Sequence, residues 1–114
     1  MIAVIFEVWP TEGKAKEYFD LGAALRSDLE KFDGFISIER FESVTTKGKF
    51  VSLSFWRDEE AVRAWRNIEG HRAAQARGRK EVFADYRLRV ASVIRDYGMQ
   101  ERAEAPKDSR GRHG

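Results

Sequence analysis

The chain of 114 residues has no cysteine, which removes disulfides, thiolate nucleophiles and cysteine-bound metal in one step. It also lacks any apolar run long enough to span a membrane. The opening MIAVIFEVW is short, with neither the basic lead nor the small-residue cleavage site of a signal peptide. Net charge is almost absent, because 21 basic residues against 19 acidic ones leave only +2. That balance gives no electrostatic case for nucleic acid. The expectation is a cytoplasmic protein with no nucleic-acid and no membrane partner.

Phosphate-binding loops are missing as well. Gly70 and Gly78 stand outside any GxGxxG or P-loop pattern, which argues against nucleotide, flavin or nicotinamide cofactors held by such loops. Histidine is scarce, and of the 2 present only His71 lies outside the charged C-terminal stretch. One histidine without a second histidine, a cysteine or a spaced carboxylate does not make a zinc site. No metal and no cofactor are therefore expected.

What is present reads as one domain, since the length accommodates a single compact core and no second one. Ile2 to Trp9 is β-branched or aromatic almost throughout and stops at Pro10, the signature of a strand. Thr11 then stands where a helix N-cap is expected. Tyr18, Gly22, Leu25, Leu29 and Phe32 recur at steps of four and three, drawing one apolar stripe that ends at Asp33-Gly34. Phe35 to Glu42 and Phe50 to Trp56 form an antiparallel hairpin turned at Lys47-Gly48. In its second strand Ser52, Ser54 and Trp56 share a side that is either the wet face of a sheet or the wall of a pocket.

Asp58 is an N-cap with Glu59 and Glu60 in the first helical turn, where carboxylates meet the positive end of the dipole. Val62, Trp65 and Ile68 make the apolar side of that helix. Asn67 and Gly70 suggest a break before a second short helix carrying His71, Ala73, Ala74 and Ala76 and closing at Gly78. From Val82 to Tyr97 the period returns to two. A last strand of that length exceeds the usual five or six residues and is expected to reach another subunit. Residues 98–114 are rich in charge without apolar periodicity and read as a disordered tail after a domain spanning 1–97. The order strand, helix, strand, strand, helix, strand predicts an α+β, ferredoxin-like split βαβ fold, an antiparallel sheet with helices on one face.

Candidate chemistry concentrates between Phe55 and Lys80, where an indole, an imidazole and several guanidinium groups can converge. Trp65 reads as a core residue that can also wall a cavity with a flat apolar surface and one N–H donor. His71 has the intrinsic basicity to take a phenolic or enolic proton, and reads equally as a helix-start residue bonded to backbone or solvent. Asn67, Gln75, Arg77 and Tyr86 complete the polar set, beside Trp56; singly they also read as a helix cap, two solvated helix positions and a sheet-packing aromatic.

Three segments carry a resemblance: FxSxERFES, then SLSFWRDEEAVRAWRNIEGHRAAQARGR, then DYRLRVASVIRDY. Together they resemble the antibiotic biosynthesis monooxygenase domain, a group of dimeric ferredoxin-like α+β barrels that includes haem-degrading monooxygenases, and the likeness runs from Met1 to Tyr97. It implies a homodimer and a pocket for a small aromatic substrate or ligand. In the quinone-forming members an electron-rich hydroquinone or phenol is deprotonated, its anion passes an electron to O2, and the recombined peroxide collapses to a quinone without metal or flavin. The protein supplies an apolar pocket, a proton acceptor and hydrogen bonds to the oxyanion.

On this chain Trp65 matches the family's helix tryptophan and His71 stands six residues on, where those members carry a polar aromatic; the expected site has Trp65 and His71 as catalytic residues and, from the polar and aromatic set above, Asn67, Tyr86, Trp56 and Gln75 as substrate-binding residues. Ala61 stands where those members place an asparagine one turn before the tryptophan. In the haem-degrading branch the corresponding positions are Glu7, Trp65 and Gln75, of which only the tryptophan matches. The expected activity is a cofactor-independent monooxygenase. The alternatives are a non-catalytic or stress-related ligand-binding dimer, and a haem-degrading monooxygenase.

Overall fold

The computed structural model describes the backbone of residues 1–75 and 82–108 and the side chains of 1–68 and 82–108. Six elements follow the predicted order: β1 (Ile2–Pro10), α1 (Ala15–Glu30), β2 (Phe35–Glu42), β3 (Phe50–Trp56), α2 (Glu59–Gln75) and β4 (Phe83–Ser92). The strands make one antiparallel sheet in the spatial order β2-β3-β1-β4. Both central strands therefore carry ladders on both sides, which suits their β-branched and aromatic content.

Local chemistry explains most element ends. The hairpin closes through Ser43 N–H to the Lys49 carbonyl at 2.9 Å, with Gly48 at φ +77. Asp58 caps α2 as its spacing predicts, accepting from Ala61 N–H at 2.8 Å. That bond, and then the Arg57 guanidinium beside it, hold the Asp58 carboxyl below its ordinary value of 3.8. Arg57 also forks onto both oxygens of Asp33 at 3.0 and 3.3 Å, and its N–H donates to the Gly34 carbonyl at 2.7 Å. The turn before β2 is thereby tied to the start of α2.

Three expectations are corrected. Thr11 does not cap α1: its carbonyl accepts from Lys14 N–H at 2.8 Å, closing a turn, and the helix starts at Ala15 with Lys14 in the cap position and no side-chain cap bond. No break occurs at Asn67 or Gly70, because α2 runs without interruption from Glu59 to Gln75. One glycine weakens a helix without ending it when the flanking residues are good helix formers, as Ala73 and Ala74 are. The expected roles of Ala76, Arg77 and Gly78 lie outside the described residues. The last strand ends at Ser92 and not at Tyr97. Ser92 pairs with Ile2, the first residue of β1, and the last ladder-like bond runs from Val93 N–H to the Met1 carbonyl at 3.0 Å. Alternation continues in the sequence, but its partner strand has run out.

Both helices cover the same face of the sheet. The register places Ile2, Val4, Phe6 and Val8 opposite Trp56, Ser54, Ser52 and Phe50, and this is the buried side of β3. The predicted α1 stripe packs there, with Tyr18, Gly22 and Leu29 buried. Two clusters result. Leu29, Trp56, Ala61 and Trp65 form one, with Phe32, Phe35 and Ile38 around them; Val8, Tyr18 and Val82 form the other, with Phe6, Phe50 and Phe83.

Gly34 links the turn to this core. Its φ is +92, a region that L side chains avoid, and a Cβ there would lie 2.5 Å from the Ala61 Cβ. We expect Gly34→Ala to lose about 1–2 kcal/mol from the backbone conformation and more from the clash with α2. Gly48→Ala, with open space around it, should lose only the conformational part. Urea titrations of the two variants compare them, and equal losses would show that the Ala61 contact is unimportant.

Candidate functional site

The helix side of the sheet is not uniformly covered. On β4 the positions paired with Val8, Phe6 and Val4 are Tyr86, Leu88 and Val90. They share the buried face, yet they are 57%, 51% and 44% exposed. Their neighbours on β1 sit under the helices, so β4 forms an apolar ledge along the open flank of the core. The Phe6 and Tyr86 rings meet at 5.5 Å and the Phe6 and Phe83 rings at 5.7 Å. A flat aromatic molecule has a matching surface there, with the Tyr86 hydroxyl as a polar group.

The two tryptophans of the predicted site are brought together deep in the first cluster. Trp65 is 7% exposed and Trp56 is 3% exposed. Their rings lie 6.3 Å apart, with the Phe32 ring edge-on to Trp65 at 5.3 Å. The Trp56 indole N–H donates to the Ser54 hydroxyl at 2.9 Å, which satisfies it internally. This settles the alternative for the Ser52, Ser54 and Trp56 side of β3: it is neither wet nor bare but packed beneath the helices.

Asn67 is exposed on α2, and Tyr86 belongs to the neighbourhood of the second cluster. The tryptophan pair and Tyr86 are therefore at different ends of the helix-side face. His71 and Gln75 belong to α2 by their backbone, while their side chains lie outside the described residues. Among the described residues, no group of three or more His, Cys, Asp or Glu could hold a metal ion.

Two positions bear on the implied chemistry. Ala61 is buried, with its methyl group close to the Gly34 turn, and offers no hydrogen-bonding group one turn before Trp65. Glu7 faces the opposite side of the sheet, paired with Arg89 at 3.1 Å and Lys49 at 3.4 Å. The helix-side residues at that end of β1 are Phe6 and Val8, neither of which offers a hydrogen-bonding side chain.

Sequence reasoning passed over a second polar group. Tyr18 appeared only as part of the α1 stripe and Arg40 only as a strand residue, yet the Arg40 guanidinium lies 5.9 Å from the Tyr18 ring beneath Gly22. Burial raises the Tyr18 phenol above its ordinary value, with the Arg40 charge opposing that shift. The available signal was the glycine itself, placed in the middle of an otherwise bulky helical stripe.

The model of the antibiotic biosynthesis monooxygenase family matches residues 1–77. The chain belongs to that family. A curated relative, the jasmonate monooxygenase ABM of Pyricularia oryzae, is 43% identical over 93 residues, covering 82% of this chain. The chain spans only 43% of that relative's length. Among solved structures, the cofactor-independent oxygenase SnoaB from Streptomyces nogalater superposes with a TM-score of 0.69 at 13% identity, over 83% of this chain and 94% of its own. The heme-degrader MhuD from Mycobacterium tuberculosis superposes with a TM-score of 0.68 at 20% identity, over 86% of this chain and 100% of its own. Identities this low establish a shared fold and no more. The family is thus one of monooxygenases on a ferredoxin-like α+β fold, and no helix among the described residues is long and apolar enough to cross a membrane.

The buried indole bond gives a direct test of how the tryptophan end is held. Ser54→Ala leaves the Trp56 N–H buried without its acceptor, and we expect a loss of about 1–3 kcal/mol. Adding Trp56→Phe removes the stranded donor as well, so the double variant should lose less than the sum of the two single changes. Equilibrium unfolding of all three variants reads this, and strict additivity would deny the bond its role.

Proposed function

We propose that the protein is a cofactor-independent monooxygenase acting on a small electron-rich aromatic of the hydroquinone or phenol type, bound along the β4 ledge. The observation that carries this reading is the exposed row of Tyr86, Leu88 and Val90 on the otherwise covered face, continuous with the Phe6 ring. Family membership supports the reaction class. His71 acts as the base that takes the substrate's phenolic proton, because an imidazole titrates near neutral pH. Where the carbon para to the ionised oxygen bears hydrogen, as in a phenol and not in a simple hydroquinone, the resulting anion gives one electron to O2 and the two radicals combine at that carbon. Loss of water from that peroxide, with the para C–H proton, leaves the quinone: one oxygen atom enters the ring and the other leaves as water.

Asn67 or Tyr86 supplies the hydrogen bond to the developing oxyanion, a task that Ala61 cannot perform. Trp65 and Trp56, at the other end of the covered face from Tyr86, hold α2 as a rigid aromatic support, and Gln75 lies further along that helix. Haem breakdown is the weaker reading, because Glu7 is turned to the other side of the sheet and Phe6 and Val8 take the helix-side positions.

The reading includes a homodimer. The sheet face away from the helices carries the part-buried Ile5, Val51, Leu53 and Phe55 and the exposed Phe41, with neither helix over it among the described residues, and an apolar sheet face is stable only when another layer covers it. A second copy stacked face to face would close such a barrel.

Two measurements test this. Oxygen uptake on a panel of hydroquinones and phenols should fall about 100-fold or more in His71→Ala, the usual range for losing a general base. An unchanged rate would remove His71 from the mechanism, and aromatic binding with no oxygen consumed would make the protein a binder. Separately, Leu53→Lys should halve the mass seen by sedimentation at unchanged helical content; a wild-type protein that sediments as a monomer would overturn the homodimer.

A further inference from the structure

The sheet face away from the helices carries opposite charges at its two edges. The register sorts its residues into rows across the four strands. Glu39, Leu53, Ile5 and Arg89 form one row, and Phe41, Val51, Glu7 and Arg87 form the next. The β4 edge is cationic: Arg89 and Lys49 share the Glu7 carboxylate at 3.1 and 3.4 Å, and Arg87 is exposed with no ion pair among the described residues. Asp85, one row further on, accepts from the Tyr86 backbone N–H at 2.8 Å. On the β2 edge Glu39 is exposed and likewise makes no ion pair among the described residues. Three strand spacings, roughly 14 Å, separate Glu39 from Arg89, and the protomer leaves them unmatched.

An identical sheet can be stacked on this face by a two-fold axis running either across the strands or parallel to them. An axis across the strands lays β4 on β4 and β2 on β2. Through the middle rows it sets Arg87 and Arg89 against the same guanidinium groups of the second copy, and juxtaposed like charges oppose association. An axis parallel to the strands lays β4 of one copy over β2 of the other. Each row then meets itself in reverse: Glu39 faces Arg89 of the second copy, and Leu53 faces its Ile5. In the rows on either side Phe55 meets Ala3, large against small, and the Arg87 guanidinium meets the Phe41 ring. The tilt of about 30° between packed sheets shifts the edge strands by roughly 4 Å, which the length of an arginine side chain absorbs.

We propose that the occupant of this face is a second copy of the chain whose two-fold axis runs parallel to the strands, with Glu39 of each copy paired to Arg89 of the other. The inference rests on the homodimer read above and adds how its two copies are oriented. Apolar burial in the middle rows supplies most of the affinity. The two edge ion pairs add little to it, but the placement of charge fixes orientation and register and rejects the crossed stacking. The helix side stays outside the interface, so each copy keeps its own β4 ledge.

Sedimentation of Glu39→Arg, of Arg89→Glu and of their equimolar mixture tests this orientation. Each variant alone places like charges at both edges, and its dimer dissociation constant should rise about 100-fold or more. Mixed, the two restore opposite charges at both edges, and a heterodimer should form at close to wild-type affinity. Variants that dimerise like the wild type, or a mixture as weak as its components, would overturn the orientation and leave the homodimer standing. A wild-type chain that sediments as a monomer would overturn the homodimer and the orientation with it. Should Arg89→Glu not fold beside Glu7, the lack of native cysteine allows a second measurement. Glu39→Cys mixed with Arg89→Cys should cross-link through a dimaleimide about 10 Å long, the spacing of stacked sheets, while neither protein cross-links alone. Cross-linking of Arg89→Cys to itself, or no cross-link in a mixture that sediments as a dimer, would overturn the orientation.

Discussion

The pairing of β1 with β3 is the constraint on which the rest of the structure depends. Because side chains alternate along a strand, the register that sets Val4 against Ser54 and Ile2 against Trp56 assigns every residue of the central sheet to one side. A shift by one residue would turn Trp56 and both serines outward and send Leu53 and Phe55 under the helices. The tryptophan pair, the bond between Trp56 and Ser54, and the contact of Arg40 with the α1 stripe all follow from this choice.

The covered face is divided along its length. Aromatic residues gather at both ends, around Trp56 and Trp65 and around Tyr18 and Phe83, while Ser52, Ser54 and Arg40 lie between them. The two edges of the sheet then differ: the β4 edge leaves an apolar ledge exposed, whereas beside β2 the Arg40 guanidinium is tucked under Gly22 against the buried Tyr18 ring. The division also places the tryptophan pair as structural support, since buried indoles in edge-on contact with Phe32 hold the end of α2 where His71 begins.

Much of the fold was legible in the chain because its signals are local. The Lys47-Gly48 turn, the Asp58 cap and the steps of the α1 stripe each act over a few residues. The misread features were those in which neighbours override local preference. Gly70 has the sequence look of a helix end, yet the turns on either side carry α2 through it. The alternation past Ser92 looks like more strand, but a ladder needs a partner and β1 has none to offer beyond Ile2. Thr11 would cap a helix beginning there, but the chain first makes a turn, with Lys14 N–H donating to the Thr11 carbonyl at 2.8 Å, and α1 begins only at Ala15.

From the sequence alone came the element order, the family pattern and the residue types that a reaction would need, because periodicity and capping are written in adjacent residues. Which side each of those residues occupies was decided only in the tertiary structure. Ser52, Ser54 and Trp56 could have faced water until the register buried them; Tyr86 could have been core until β4 was left as an edge. The meeting of Tyr18, Gly22 and Arg40 joins a helix to a strand beyond the next turn, and no local rule connects them. Burial and charge pairing depend on the distance between side chains in space, and distance along the chain does not fix it.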